Sequence, residues 1–170
     1  MRFVRDGRAA ADPFRRVADD APIPDGVPVL LTDTRFLAEA AALAARAAAV
    51  GVIWPNHREV EELVPHLARL ASIALVFPSF RDGRAYSQAR LLRERYHFAG
   101  ELRATGQVLR DQFLFMLRAG FTAFEVAKDG DADHFADAVH RYTRFYQPSV
   151  DRRPVIAAAR QAPASQRTSA

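Results

Sequence analysis

Short apolar runs alternate with longer amphipathic stretches between residues 27 and 146. Breaking or capping residues close each run, and a helix-like stretch follows it. The predicted strands are 27–31, 52–54, 73–77, 101–105 and 121–126. Strands that alternate with helices are typical of α/β folds with a mainly parallel sheet. We therefore predict a single α/β domain of about five βα units, built as a flavodoxin-like open sheet or as a partial (βα) barrel.

The predicted helices differ in how well the sequence supports them. The alanine-rich stretch 36–50 favours helix, and Thr32 stands where a helix N-cap would lie. The next helix places Val60 and Leu63 on one face, but Pro65 lies inside it and predicts a kink or an early end. Further helices are predicted at 85–97, 107–118 and 131–146.

Both ends of the chain lack this pattern. Prolines and the Asp25–Gly26 pair punctuate residues 1–26, which predicts an irregular N-terminal arm. Residues 147–170 show no periodicity and are rich in arginine, alanine, glutamine, serine and proline. We predict that this second segment is a disordered C-terminal tail.

The composition excludes several kinds of cofactor chemistry. The chain has no cysteine, which rules out disulfides, thiol catalysis and cysteine-ligated zinc or iron–sulfur centres. The histidines are scattered without ligand spacing, so no metal site is expected. No haem attachment motif is present either. We expect neither haem nor iron–sulfur ligation, and a non-covalent flavin stays open.

Charge and hydropathy narrow the classes of partner. The net charge is +4, but the basic residues are spread among acids rather than clustered, which argues against nucleic-acid binding. No secretory signal is recognisable at the N-terminus. No apolar stretch reaches the roughly 18 residues of a membrane span. We therefore expect a cytoplasmic protein that binds neither nucleic acid nor membrane.

Two features suggest an anion site. The first is the charged loop Arg81-Asp82-Gly83-Arg84 after the third predicted strand, which is either a solvated turn or an anion-binding loop. The second is Arg103, in the middle of the fourth strand, where a strand covered on both faces should be apolar. Arg103 then faces a polar cavity or an exposed edge, and if buried it needs an acidic partner. Asp82 and Asp111 are the candidates.

Adjacent parallel strands place their following loops side by side. We therefore hypothesise one electropositive pocket, formed by Arg81, Arg84, Arg103 and Arg110 at the carboxyl ends of the third and fourth strands. Asp82 and Asp111 would hold the guanidinium groups, and Tyr86, Ser87 and Gln88 could donate hydrogen bonds. The alternative is a structural Arg–Asp network that only pins the two loops.

Several stretches also carry a family resemblance: 77–84, 86–93, 100–104, 108–112, 120–121 and 123–124. In these stretches the chain resembles an uncharacterised bacterial family, a domain of unknown function commonly labelled as a probable oxidoreductase involved in sulfite reduction. The likeness covers about residues 50 to 146, and it departs from the pattern at Ala85, where glycine is usual.

The family is typically encoded beside haem-type sulfite reductase. The resemblance therefore implies an accessory protein of assimilatory sulfite reduction, which supports electron delivery to sulfite reductase or its assembly. Any enzymatic activity would be of the oxidoreductase type. One alternative is a stand-alone enzyme or sensor that binds an oxyanion or a phosphorylated ligand at the arginines. Another is a purely structural adaptor.

Overall fold

A single mixed sheet forms the centre of the computed structural model, which describes residues 2–5, 7–127, 134–135, 137–138, 141–151, 153 and 155–156. Within these residues the sheet has eight strands, in the spatial order β2-β1-β8-β7-β6-β5-β4-β3. Their bounds are β1 Arg2–Arg5, β2 Arg8–Ala10, β3 Arg15–Arg16, β4 Val29–Thr32, β5 Val50–Trp54, β6 Leu70–Phe77, β7 Glu101–Gly106 and β8 Ala123–Val126. The predicted α/β class is confirmed.

The order of the strands decides between the two predicted arrangements. From β3 to β8 every neighbouring pair is parallel, and the strands follow one another across the sheet in chain order. A flavodoxin-like sheet would reverse its order at a switch point. The sheet instead curls into a half-barrel, so the flavodoxin-like alternative is not what forms.

Helical segments follow each of the strands from β4 to β7, although only some are α-helical. The α-helices are α1 Asp33–Leu43, α2 Arg84–Arg90 and α3 Phe113–Ala119. Segments of 3₁₀ helix span Val60–Arg69 and Arg110–Gln112, and a π turn over Leu91–Arg95 continues α2. Pro65 lies inside the 3₁₀ segment that follows β5 and has no N–H to donate to a hydrogen bond there. Thr32 caps α1 as predicted, accepting a hydrogen bond from the Arg35 N–H at 3.3 Å.

The N-terminal arm differs from its prediction. Residues 1–26 were expected to be irregular, yet β1, β2 and β3 all lie there. Strand β1 pairs antiparallel with β8, with Phe3 opposite Glu125, and β3 pairs parallel with β4 at the far edge. The arm therefore contributes strands to both sides of the parallel sheet and crosses its open face between them.

The fifth predicted βα unit is only partly seen. Of the helix expected at 131–146, residues 134–135 and 137–138 are helical, whereas 141–146 are not; the others lie outside the described residues. Two described residues of the predicted disordered tail contact Arg118 of α3: the Ser149 hydroxyl donates to its carbonyl at 2.6 Å, and its guanidinium donates to the Gln147 carbonyl at 2.7 Å. Most of that tail lies outside the described residues.

The two faces of the sheet are chemically different. One face packs against the helices and is apolar, with Trp54, Leu75 and Phe124 among its fully buried side chains. The opposite face, called the inner face here, carries the buried polar residues Ser72, Arg103, Thr105 and Glu125. No helix among the described residues is long and apolar enough to cross a bilayer.

Candidate functional site

Alternation along β7 creates the polar inner face. Leu102 and Ala104 point to the helices, so Glu101, Arg103 and Thr105 point the other way. On the neighbouring strand β8, Glu125 lies on the same face, because Arg103 pairs with Ala123 and side chains alternate from there. One strand thus brings a carboxylate, a guanidinium and a hydroxyl into a row beside a second carboxylate.

Arg103 is the centre of this face, and its side chain is fully buried. Its two terminal nitrogens donate to the two oxygens of Asp12 at 2.7 and 2.8 Å. Arg103 Nε donates to Glu101 Oε1 at 3.1 Å, and Nη1 donates to Glu125 Oε1 at 3.1 Å. Arg103 does have acidic partners, as predicted, but they are not Asp82 and Asp111.

Further arginines complete an inner-face network. The guanidinium of Arg5 bonds Glu101, and that of Arg16 bonds Glu125. The Ser72 hydroxyl donates to Glu101 Oε1 at 2.9 Å, and the Thr105 hydroxyl donates to Glu125. We define the inner-face network as Arg5, Asp12, Arg16, Glu101, Arg103 and Glu125. Its three cations and three carboxylates balance, which is what burial of charge requires.

The arm supplies a cover for this network. The Phe3 ring centroid lies 4.4 Å from Arg103 Cζ, and the Phe14 centroid lies 5.5 Å from it. A guanidinium stacked on aromatic rings gains cation–π attraction and loses contact with water. The arm therefore closes the inner face over Arg103.

The surroundings of Asp12 and Glu125 shift the pKa values of both carboxyl groups. Burial raises the pKa of Asp12 and of Glu125, but hydrogen bonds from Arg103 to Asp12 and from Arg16 to Glu125 outweigh it. Both pKa values end below their ordinary values of 3.8 and 4.5. For Arg103, burial lowers the pKa, and the carboxylates reverse that shift, so its pKa lies above its ordinary value. These directions keep Asp12, Glu125 and Arg103 charged at neutral pH.

We expect acid to destabilise the protein through these groups. Because the folded-state pKa values of Asp12 and Glu125 are depressed, the unfolded chain binds more protons, and stability is lost as the pH falls. Urea unfolding should give a constant free energy of unfolding from about pH 7 to 5 and a decline below about pH 4.5. The variant Asp12→Asn should decline less steeply over the same range; an equal slope would show that Asp12 does not contribute.

The carboxyl edge of the sheet brings the predicted loops together. The loop after β6 and the loop after β7 are joined by hydrogen bonds from Phe80 N–H to Gln107 Oε1 at 3.2 Å and from Gln112 Nε2 to the Phe80 carbonyl at 3.3 Å. Gln107 N–H also donates to the Phe77 carbonyl at 2.8 Å. The expectation that these loops lie side by side is confirmed by these contacts.

The charged loop is largely exposed. Arg84 donates to Asp82 from Nε at 3.0 Å and from Nη2 at 2.7 Å, and this pairing, more than the bond from Asn56, holds the Asp82 pKa well below its usual range. The Arg81 guanidinium lies 5.4 Å from the ring centroid of Phe80. The Asp82 carboxylate thus occupies the Arg84 guanidinium, whereas the Arg81 side chain is exposed to solvent.

The three predicted hydrogen-bond donors of α2 differ in their exposure and contacts. Gln88 is buried and donates to the carbonyls of Pro55 at 3.2 Å and Arg58 at 2.8 Å, which ties the loop after β5 to α2. Tyr86 is half-buried against Phe77, and burial together with the charge of Asp111 raises its pKa to about 12. Ser87 is exposed.

Arg110 and Asp111 lie in the 3₁₀ segment that precedes α3. They line a cavity of about 300 Å³ together with Phe115, His134 and Arg141. The Arg110 and Asp111 side chains lie there with further acidic and basic side chains, so the charge of the cavity lining is mixed rather than uniformly positive. In the described part of the chain no cluster of histidine and carboxylate side chains is placed to hold a metal ion.

The single predicted pocket is therefore divided between two places. Six of the predicted residues lie at the carboxyl edge: Arg81, Asp82, Arg84, Tyr86, Arg110 and Asp111. Ser87 and Gln88 lie in the middle of α2. Arg103 points to the inner face and is saturated by carboxylates there. Sequence reasoning missed Asp12, Glu101 and Glu125. The polar residues at every second position of β7 were the available signal for a polar sheet face.

Comparison with known protein families gives a match over the larger part of the chain. The model of the family described as "Bacterial protein of unknown function (DUF934)" matches residues 51–156, which includes both loops of the carboxyl edge and strands β6, β7 and β8. No curated protein and no solved structure matches the chain.

Proposed function

The chain belongs to the bacterial family of unknown function DUF934, and from that membership we propose that it is an accessory protein of assimilatory sulfite reduction. In this role it supports electron delivery to sulfite reductase, or the assembly of that enzyme, by contacting it. The resemblance to proteins encoded beside sulfite reductase motivates the proposal. The contact itself requires a surface suited to a protein partner.

One exposed surface supports the proposal. At the carboxyl edge the apolar side chains of Phe80, Leu109 and Phe115 are 48%, 41% and 65% exposed. Arg81 and Arg110 lie among them and are exposed too. We call these five residues the carboxyl-edge surface. Exposed aromatic residues and arginines are the types enriched at the energetic centres of protein interfaces.

The carboxyl-edge surface also joins two stretches that carry the family resemblance. Residues 77–84 and 108–112 are distant along the chain, and the bonds of Phe80 to Gln107 and Gln112 bring them together. Its arginines fit an acidic patch on the partner, with which they would form charge-assisted hydrogen bonds. An acidic, partly apolar face of sulfite reductase is therefore the proposed occupant.

We expect the double variant Arg81→Glu with Arg110→Glu to lose capture of sulfite reductase when the tagged protein is purified from its own host. Reversing two charges at an interface rim turns attraction into repulsion, which should weaken the contact by at least about tenfold. Arg8→Glu with Arg15→Glu makes the same charge change on the exposed strands β2 and β3 and serves as control. Equal capture by both double variants would contradict a contact at this surface.

A growth test addresses the pathway separately from the contact. Cells lacking the gene should grow normally on sulfide and poorly on sulfate and on sulfite as sole sulfur source. The parent gene should restore growth, and the Arg81→Glu with Arg110→Glu variant should not. Equal growth of the deletion strain on sulfite and sulfide would refute a role in sulfite reduction.

A further inference from the structure

The guanidinium of Arg103 is arranged as a fork for a single anion. Its terminal nitrogens both donate to one carboxylate, Asp12, at 2.7 and 2.8 Å. Glu101 and Glu125 bind its remaining donor positions from the neighbouring sheet surface and fix its orientation. This parallel two-bond geometry suits any carboxylate or comparable oxyanion, whichever molecule carries it.

Asp12 differs from the other carboxylates that bind Arg103. Glu101 and Glu125 belong to strands of the sheet, and their side chains are 10% and 5% exposed. Asp12 belongs to the irregular segment between β2 and β3, and its side chain is 32% exposed. Movement of this segment alone would remove Asp12 and leave the pairing of every strand intact. Asp12 is therefore the exchangeable ligand.

Charge favours a replacement anion once Asp12 has left. Arg5, Arg16 and Arg103 would then face only Glu101 and Glu125, which leaves one uncompensated positive charge. Phe14 leaves with Asp12, but the Phe3 ring of β1 still lies against Arg103, and an uncompensated charge beside it is costly. A ligand with one negative charge restores the balance, whereas a doubly charged ligand overshoots it.

We propose that Arg103 forms a binding site for a small, singly charged oxyanion on the inner face, and that Asp12 occupies this site in the closed arrangement as a built-in competitor. The ligand enters when the segment carrying Asp12 moves away from the sheet. The apparent affinity for the ligand is then the intrinsic affinity multiplied by the fraction of molecules in which Asp12 has left the site. The inference stands independently of any contact with sulfite reductase.

The test removes the competitor and supplies an anion in its place. Asp12→Ala should bind acetate saturably, with a rise in Tm, at least about tenfold more tightly than the parent does. Asp19→Ala is the matched control, because Asp19 lies on the same arm and accepts from the Thr32 hydroxyl rather than from Arg103. Sulfate should bind more weakly than acetate, and chloride at equal ionic strength should have no specific effect.

Nuclear magnetic resonance of the arginine Nε–Hε groups places the bound anion. Acetate should shift the Arg103 resonance in Asp12→Ala, and in the parent at higher concentration, so the test survives if the variant folds poorly. Lack of an acetate-dependent shift in both proteins would overturn the proposal. Equal binding by Asp19→Ala, or sulfate binding as tight as acetate binding, would overturn it as well.

Discussion

Replacing Arg103 by methionine should lower the free energy of unfolding by about 3–5 kcal/mol, the usual cost of removing one partner from a buried ion pair. The methionine fills much of the volume but leaves Glu101 and Glu125 without their central cation. Both carboxylates are nearly inaccessible to water, so solvent cannot replace the lost bonds. The arm would also lose the two bonds that tie Asp12 to the sheet.

Urea unfolding at pH 7 measures this loss, and two further variants locate its cause. Arg16→Met removes a guanidinium that is 46% exposed, so the expected loss is smaller, roughly 1.5–3 kcal/mol for hydrogen bonds to a charged group. Combining Arg103→Met with Asp12→Asn should recover part of the loss, because Arg5 and Arg16 then balance Glu101 and Glu125. A loss for Arg103→Met no larger than that for Arg16→Met would contradict a central role for Arg103.

The parallel strands could be predicted because each leaves a local signal. The runs predicted at 52–54 and 73–77 lie inside the observed strands Val50–Trp54 and Leu70–Phe77. Both faces of these strands are largely covered, so the two predicted runs are apolar throughout, and a proline follows each of them. Strand order leaves no such signal, because the same alternation of strand and helix suits a half-barrel and an open sheet.

The strands of the arm could not be predicted in this way. Arg2–Arg5 is half arginine and becomes a strand only because β8 offers its edge, more than a hundred residues later in the sequence. Long-range pairing of this kind overrides local propensity. The prolines of residues 1–26 indicate breaks between elements correctly, but they conceal the short strands that lie between the breaks.

The same long-range pairing explains the outcome for the candidate site. Burial of Arg103 required acidic partners, and that inference is confirmed. The prediction of Asp82 and Asp111 as these partners was wrong, because it assumed that a side chain in mid-strand reaches the carboxyl edge. Arg103 points instead to the face that the arm covers, where Asp12 arrives from 91 residues away. Ligand binding at Arg81, Arg84 and Arg110 stays a prediction.

Gly106→Ala should be the second strongly destabilising change. Gly106 ends β7 with a φ of +90°, and a Cβ at this position would lie 2.4 Å from the Phe77 carbonyl oxygen. A left-handed conformation costs a non-glycine residue about 1–2 kcal/mol, and forced overpacking costs about 1–3 kcal/mol more. The expected loss in the free energy of unfolding is therefore about 2–5 kcal/mol.

Gly26→Ala separates these two costs. Gly26 has a φ of +68°, but a Cβ there would meet nothing within 4 Å, so only the conformational cost of about 1–2 kcal/mol applies. Relief of the overlap at Gly106 requires the backbone after β7 to move away from Phe77, and this shift strains the bond from Phe80 to Gln107. Gly106→Ala should therefore also weaken the proposed contact with sulfite reductase under conditions in which both variants stay folded, whereas Gly26→Ala should not. Equal losses of stability in the two variants would show that the close approach to Phe77 is not what requires glycine.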